Sequence, residues 1–181
     1  MFRNPKNKII ADAALVAEQI LEKTNFDKKY TLVSKNPDTP MSFQLESALF
    51  GKVTRKELDV SGYYLLYKNN MPMCLGVSTR SIANRLARFC KENHGKSRSD
   101  ENYPAARKHR NHYGRSNFDG IEVAFCPFEP PSNVSMGDIE TCLINRIKPI
   151  YNVKIGTDRI GVAKSADRCY GDVQTILQFF V

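Results

Sequence analysis

One stretch limits what this chain can fold into: Ser61-Gly-Tyr-Tyr-Leu-Leu-Tyr-Lys-Asn-Asn-Met-Pro-Met-Cys-Leu-Gly-Val77. Gly62 to Lys68 is aromatic-rich and suits a strand, because large flat side chains pack well on a pleated surface. Asn69-Asn70 can take the left-handed conformations that a tight hairpin needs. Met71 to Val77 is then the return strand. Pro72 lacks an N–H and belongs at a strand start or on an edge. A basic amphipathic helix follows, from Ser78 to Cys90, with Ser78 or Thr79 as its cap. On it Ile82, Leu86 and Phe89 recur at i, i+4 and i+7, the face that packs on the sheet. Arg80, Arg85 and Arg88 stand among and beside that stripe.

The flanking elements follow from the same rules. Ile9, Ala13, Val16, Ile20 and Leu21 predict a helix over 9–22, ended near Asn25. Tyr30 to Val33 is a short strand, and Ser34 to Pro40 a loop with two prolines. Met41 to Phe50 reads as a short helix closed by Gly51. Lys96 to Glu101 is a polar loop. Tyr103 to Gly114 is a second helix, with Pro104 in its first turn and Gly114 at its end. Gly120 to Pro127 is a third strand. Ser135 and Asp138 form a capping arrangement for a helix from Met136 to about Lys148. Pro149 ends it, Ile150 to Val153 runs on extended, and Asp172 to Phe180 is a last helix. The expected fold class is therefore α+β: a small three-stranded antiparallel sheet flanked by helices. Residues 1–58 form an N-terminal helical arm or cap, 59–153 the central domain, and 154–181 a C-terminal extension packing on the domain or on a partner subunit.

Charge points to the partner. The formal net charge is +8, and between Arg80 and Arg115 stand ten lysines and arginines against three acidic residues. All three histidines, His94, His109 and His112, lie in that window. One basic stretch on an otherwise balanced chain suggests a polyanion, since each neutralised phosphate releases counterions. A solvated basic face without a partner is the other reading of charge alone. The five cysteines include no C-x-x-C pair, which argues for reduced thiols in a cytosolic protein and against structural zinc. No apolar run approaches the roughly 20 residues of a membrane span.

Gly62-Tyr-Tyr64 and, ten residues after Tyr64, Cys74-Leu-Gly76 resemble the paired tripeptides of the GIY-YIG nuclease family. Gly76-Val-Ser-Thr-Arg-Ser-Ile-Ala-Asn-Arg85-Leu-Ala-Arg88 resembles the family's arginine-bearing helix. Glu140 followed twelve residues later by Asn152, after a Pro-x-aromatic step, is similar to its closing motif. The resemblance covers roughly Gly62 to Asn152, about half of the chain. Neither tripeptide is specific alone; the ordered set is.

The resemblance implies hydrolysis of double-stranded DNA with one Mg2+, for which Mn2+ can substitute. Glu140 would be the only protein ligand of the metal, with waters and phosphate oxygens completing its shell. Tyr64 would be the general base. Arg85 would hold the scissile phosphate, Asn152 would keep hairpin and glutamate in register, and Gly62 and Gly76 would permit close approach. Cys74 stands where the family usually has its second tyrosine, and a thiol is too short to replace one. Tyr63, Tyr67 or Lys68 are the nearby substitutes, although strand alternation turns Tyr63 away from Tyr64. Phe89 stands where many members have histidine, which makes His94, or His109 and His112, candidates for an imidazole. Gly76, Arg80, Arg88, Lys91, Arg107, Lys108, His109, Arg110 and His112 are the expected DNA contacts.

Compact members of the family with arms on both sides include type II restriction and phage-encoded endonucleases, which usually act as oligomers. A homo-oligomer in the cytoplasm of a bacterium or phage-infected cell is the expectation. A homing-type nuclease is less favoured, because no long linker or separate DNA-binding domain follows Asn152. A different nuclease class is excluded at Asp119-Gly-Ile-Glu122, which lacks the accompanying lysine. A serine or cysteine hydrolase is excluded by the missing nucleophile elbow. The serious rival is a DNA-binding module that kept the fold and lost activity.

Overall fold

The computed structural model describes residues 5–23, 28–34, 43–94 and 104–152. Among them four helices and six strands follow in the order α1 (Pro5–Lys23), β1 (Tyr30–Ser34), β2 (Phe43–Ser47), β3 (Gly51–Val53), β4 (Gly62–Lys68), β5 (Met71–Ser78), α2 (Ile82–Asn93), α3 (Pro104–Tyr113), β6 (Ile121–Pro127) and α4 (Met136–Ile147). The strands form one sheet in the order β3-β2-β1-β6-β4-β5, antiparallel throughout. The chain is α+β, as expected. No described helix is long and apolar enough to cross a membrane.

β4 is the spine of the half that carries the candidate site. It lies between β5 and β6, and all seven of its residues are buried. Its alternation divides the core in two. Tyr64 and Leu66 pack with Ile82, Leu86 and Phe89 of α2 on one face. Tyr63, Leu65 and Tyr67 pack with residues of α1 and α4 on the other. The predicted stripe of α2 is therefore the face it buries. The hairpin closes as expected: Asn69 and Asn70 have φ of 52° and 62°, the left-handed pair that matches strand twist. Lys68 at its tip is buried and donates to the Asp119 carbonyl at 2.6 Å.

The hairpin and α2 meet through an unforeseen cap. β5 runs on through Ser78, so the helix starts later than either proposed cap allows. Ser78 Oγ accepts from the Ser81 amide at 2.8 Å, and Ser81 Oγ caps the helix by accepting from the Asn84 amide at 3.2 Å. Ser78 therefore shapes the turn and Ser81 caps. α4 begins on Ser135 with Asp138, as predicted, and ends on a left-handed Lys148 with φ of 54°.

Two expectations from the first third are corrected. Met41 to Phe50 is not a helix. Its described part is β2 and a turn that leads into β3, because Phe43, Leu45 and Ser47 alternate, and Leu45 is fully buried against its neighbours. Ser47 Oγ accepts from the amides of Leu49 and Phe50, and Gly51 with φ of 76° opens β3 instead of closing a helix. Residues 1–58 are accordingly not a helical arm alone: β1 pairs with β6 and widens the sheet from three strands to six. Ile150 to Asn152 also differs from expectation, turning back along β5 instead of running extended. Cys74, Cys90, Cys126 and Cys142 are buried thiols, with no disulfide among the described residues. The loops expected at 35–40 and 96–101, the end of the first helix near Asn25, Cys169 and the helix expected over 172–180 lie outside the described residues.

A candidate active site on the edge strand

β5 is the edge of the sheet, so its outward-facing backbone groups need partners other than a strand. The groups that supply them come from distant parts of the sequence. The amide of Ile150 donates to Pro72 O at 3.2 Å and that of Tyr151 to Met73 O at 2.8 Å. The side chain of Asn152 accepts from the Leu75 amide and donates to the Leu75 carbonyl, both at 2.9 Å. Two residues on, Arg85 Nε donates to Val77 O at 3.0 Å. The edge is thus closed by Ile150 and Tyr151 together with Asn152 and Arg85, the last two singled out in the sequence.

Between Leu75 and Val77 sits Gly76, directly opposite Tyr64 in the ladder. A Cβ on Gly76 would collide with the Tyr64 ring carbon Cζ and hydroxyl oxygen. The missing side chain is therefore the space the phenol occupies. Gly62 is used differently: with φ of 152°, any Cβ there would strike the Cys126 carbonyl, so it serves the β4–β6 contact. Three consecutive residues, Leu75 to Val77, carry Asn152, Tyr64 and Arg85.

Arg85 is half-buried, and its guanidinium is anchored at Nε alone. Its two terminal nitrogens have no partner among the described residues, which leaves a pair of parallel donors suited to phosphate. Glu140 is half-buried on α4. Its charge reaches both Tyr63 on β4 and Cys74 on β5, raising the pKa of each after burial has done so. The carboxylate is thus within electrostatic reach of both β4 and β5. No cluster of three or more metal-ligating side chains exists among the described residues. The donor set fits a hard cation such as Mg2+ in one way, with a single carboxylate and the rest of the shell from water and phosphate.

Cys74 is buried, and burial with Glu140 nearby pushes its thiol up to about 12, with Lys108 pulling the other way. It is a core thiol and not a base. None of the expected substitutes replaces a second tyrosine. Tyr63 is on the opposite face and donates to Met136 O at 3.3 Å. Tyr67 shares that face, with the Lys29 ammonium 4.3 Å from its ring centre. Lys68 is at the hairpin tip, across from Met71.

The histidines do not converge either. His94 caps the far end of α2, with Nδ1 against Ser116 Oγ and its ring edge-on to Phe118. That is nine residues beyond Arg85, or roughly 13 Å along the helix axis. His109, expected on DNA, is buried; Nδ1 meets Asn93 Oδ1 at 3.3 Å, and burial holds its pKa down at about 4. Its Nε2 has no hydrogen-bond partner among the described residues, and the ring lines a small cavity with Leu66, Met73, Phe89 and Tyr151. His112 is exposed and lies 3.3 Å from the Tyr151 hydroxyl. Phe89 is core, edge-on to His109.

The expected DNA contacts divide into three sets. Arg80, Lys91 and Arg107 are exposed, and Arg88 is half-buried at 4.0 Å from Glu92. Arg110 is bound to Glu92 O at 2.9 Å, a tie between α2 and α3. Lys108 turns inward: its ammonium donates to Tyr151 O at 2.9 Å, next to Asn152 and within electrostatic reach of Cys74. Tyr151, which sequence reasoning passed over as an aromatic step, is buried and joins α3, β5 and the Asn152 turn. Its only sequence signal was its place between Pro149 and Asn152.

No family model, curated protein or solved structure matches this chain.

Proposed function

We propose that the protein is a Mg2+-dependent DNA endonuclease of the GIY-YIG type, most closely of the compact restriction-enzyme or phage class, acting as a homo-oligomer in the cytoplasm. One observation carries the reading. The tyrosine, arginine and asparagine singled out by the ordered motifs, drawn from three separate parts of the chain, meet on three successive residues of one edge strand. The strand–strand–helix–helix–strand–helix order from β4 to α4 supports it further.

The chemistry follows from what each group can do. Tyr64, seated over Gly76, acts as its phenolate and takes a proton from the attacking water at the phenol oxygen. Arg85 offers its two terminal nitrogens to the non-bridging phosphate oxygens, where charge builds as the phosphorus becomes five-coordinate. Water oxygen bonds to phosphorus and the bond to the 3′ oxygen breaks. A magnesium ion held by Glu140 would supply positive charge at the phosphate and the leaving oxygen. Asn152 touches no reacting atom; it fixes the strand on which Tyr64 and Arg85 rest.

The second reading is a DNA-binding protein that no longer cuts, and Cys74 is the observation that favours it. Single-turnover cleavage of supercoiled plasmid in magnesium separates the two. Wild type nicks or linearises it, and Tyr64→Phe is slower by at least about 100-fold, the scale of one general base. Wild type that binds plasmid but leaves it intact supports the second reading.

A further inference from the structure

The turn between β3 and β4 lies in the stretch for which the sequence suggested no chemistry. It is stapled to the start of α2. Thr54 and Glu57 close it, with Glu57 Oε2 accepting from both the amide and the hydroxyl of Thr54 at 2.7 Å. Leu58 is buried beneath it, and the carbonyls of Leu58 and Val60 accept from the amides of Ala83 and Ile82, each at 2.9 Å. With Ser78 and Ser81 taking the amides of Ser81 and Asn84, every donor at this helix N-terminus is occupied by protein. A helix start is ordinarily an anion site. Here the backbone is closed, and an anion must be met by side chains.

The same turn supplies one. Arg55 is exposed, and its Nη2 donates to Asn84 Oδ1 at 3.0 Å. Its partner is a neutral amide, and it makes no ion pair among the described residues, so its charge is uncompensated. Asn84 is one residue before Arg85. On the helix it shares a face with Arg88 and Lys91, four and seven positions further on. The acidic neighbour Glu57 is turned back into its own cap; Asp59 is exposed.

We infer that Arg55 is a DNA-phosphate contact, extending the outer face of α2 (Asn84, Arg88, Lys91) into one cationic ridge that holds the duplex backbone beside Arg85. The inference deepens the nuclease reading and rests on its partner, duplex DNA. Asn84 orients the guanidinium, and the stapled turn holds it ready, so little side-chain freedom is lost on binding.

The test is binding of a fluorescent random-sequence duplex in EDTA, where no cleavage occurs, over a range of salt. Arg55→Gln weakens affinity about 3- to 10-fold near 0.1 M salt and lowers the slope of log K against log salt by about 0.9, one phosphate contact. Arg55→Lys restores the slope. Arg146→Gln, which removes an ion-paired cation on α4, leaves the slope unchanged. Melting curves of all three match wild type. An Arg55→Gln slope and affinity equal to those of Arg146→Gln overturn the inference, whatever the cleavage assay gives. An Arg55-dependent slope in a protein that never cuts upholds this contact and removes the nuclease reading instead.

Discussion

Asn152 gives both ends of its side-chain amide to Leu75, accepting from the amide nitrogen and donating to the carbonyl at 2.9 Å each. An asparagine can in this way stand in for a neighbouring strand, since its amide mimics a peptide group. Both bonds are buried. Asn152→Ala strands two backbone groups at the edge, and each orphaned group costs roughly 1–3 kcal/mol. Urea unfolding is expected to show a loss of roughly 2–6 kcal/mol for the two groups together, accompanied by loss of cleavage. Asn152→Asp keeps the acceptor but sets an oxygen against Leu75 O, and is expected to be no more stable than the alanine variant.

Gly76 and Tyr64 form a second coupled pair. Gly76→Ala pushes the phenol aside, with an overpacking cost of about 1–3 kcal/mol. The same substitution in a Tyr64→Leu background has less ring to displace. A double-mutant cycle on unfolding free energies should give a coupling of at least about 0.5 kcal/mol. Additive losses would mean that the phenol does not rest on Gly76.

Lys108 and Arg107 are adjacent in sequence but should behave differently. Arg107 is exposed; Lys108 is tied to Tyr151 O beside Asn152. Arg107→Gln is expected to weaken DNA binding by a few-fold and leave the saturated cleavage rate unchanged. Lys108→Met is expected to lower the saturated rate by 10-fold or more with a smaller change in affinity. Titrating DNA under single-turnover conditions separates the two effects.

His109 predicts a pH dependence of stability. Burial first, then the nearby charges of Lys68 and His112, hold its pKa at about 4, against 6.5 for an unperturbed histidine. Between those values the unfolded chain binds the proton and the folded chain does not. Stability therefore rises with pH across that window, and the contribution is lost as pH falls from about 6.5 towards 4. His109→Gln should flatten this part of the curve of unfolding free energy against pH. An unchanged slope would show that the imidazole is not held neutral.

The hairpin, the α2 stripe and the α4 cap were legible because each is written in local chemistry: paired asparagines, helical spacing, Ser135 with Asp138. β2 and β3 were not, because a short alternation such as Phe43, Leu45, Ser47 is decided by the sheet it joins and not by propensity. Tyr64, Arg85 and Asn152 stood out in the sequence by their order and spacing, but their meeting on Leu75 to Val77 is set by strand pairing and by the turn after α4, which spacing alone does not show. The histidines misled because residue type says nothing of direction: His109 faces the core from a helix whose other side is basic. Arg55 was invisible because its significance comes from Asn84, 29 positions away.

The most direct measurement is a paired assay on Glu140→Gln and wild type: duplex binding in calcium, then plasmid cleavage in magnesium. The expected result is that both bind within about three-fold of each other, while only wild type cuts, because the glutamine cannot hold the cation as a carboxylate does. Cleavage by Glu140→Gln at the wild-type rate, or wild type that binds DNA and cuts in neither magnesium nor manganese, would contradict the account.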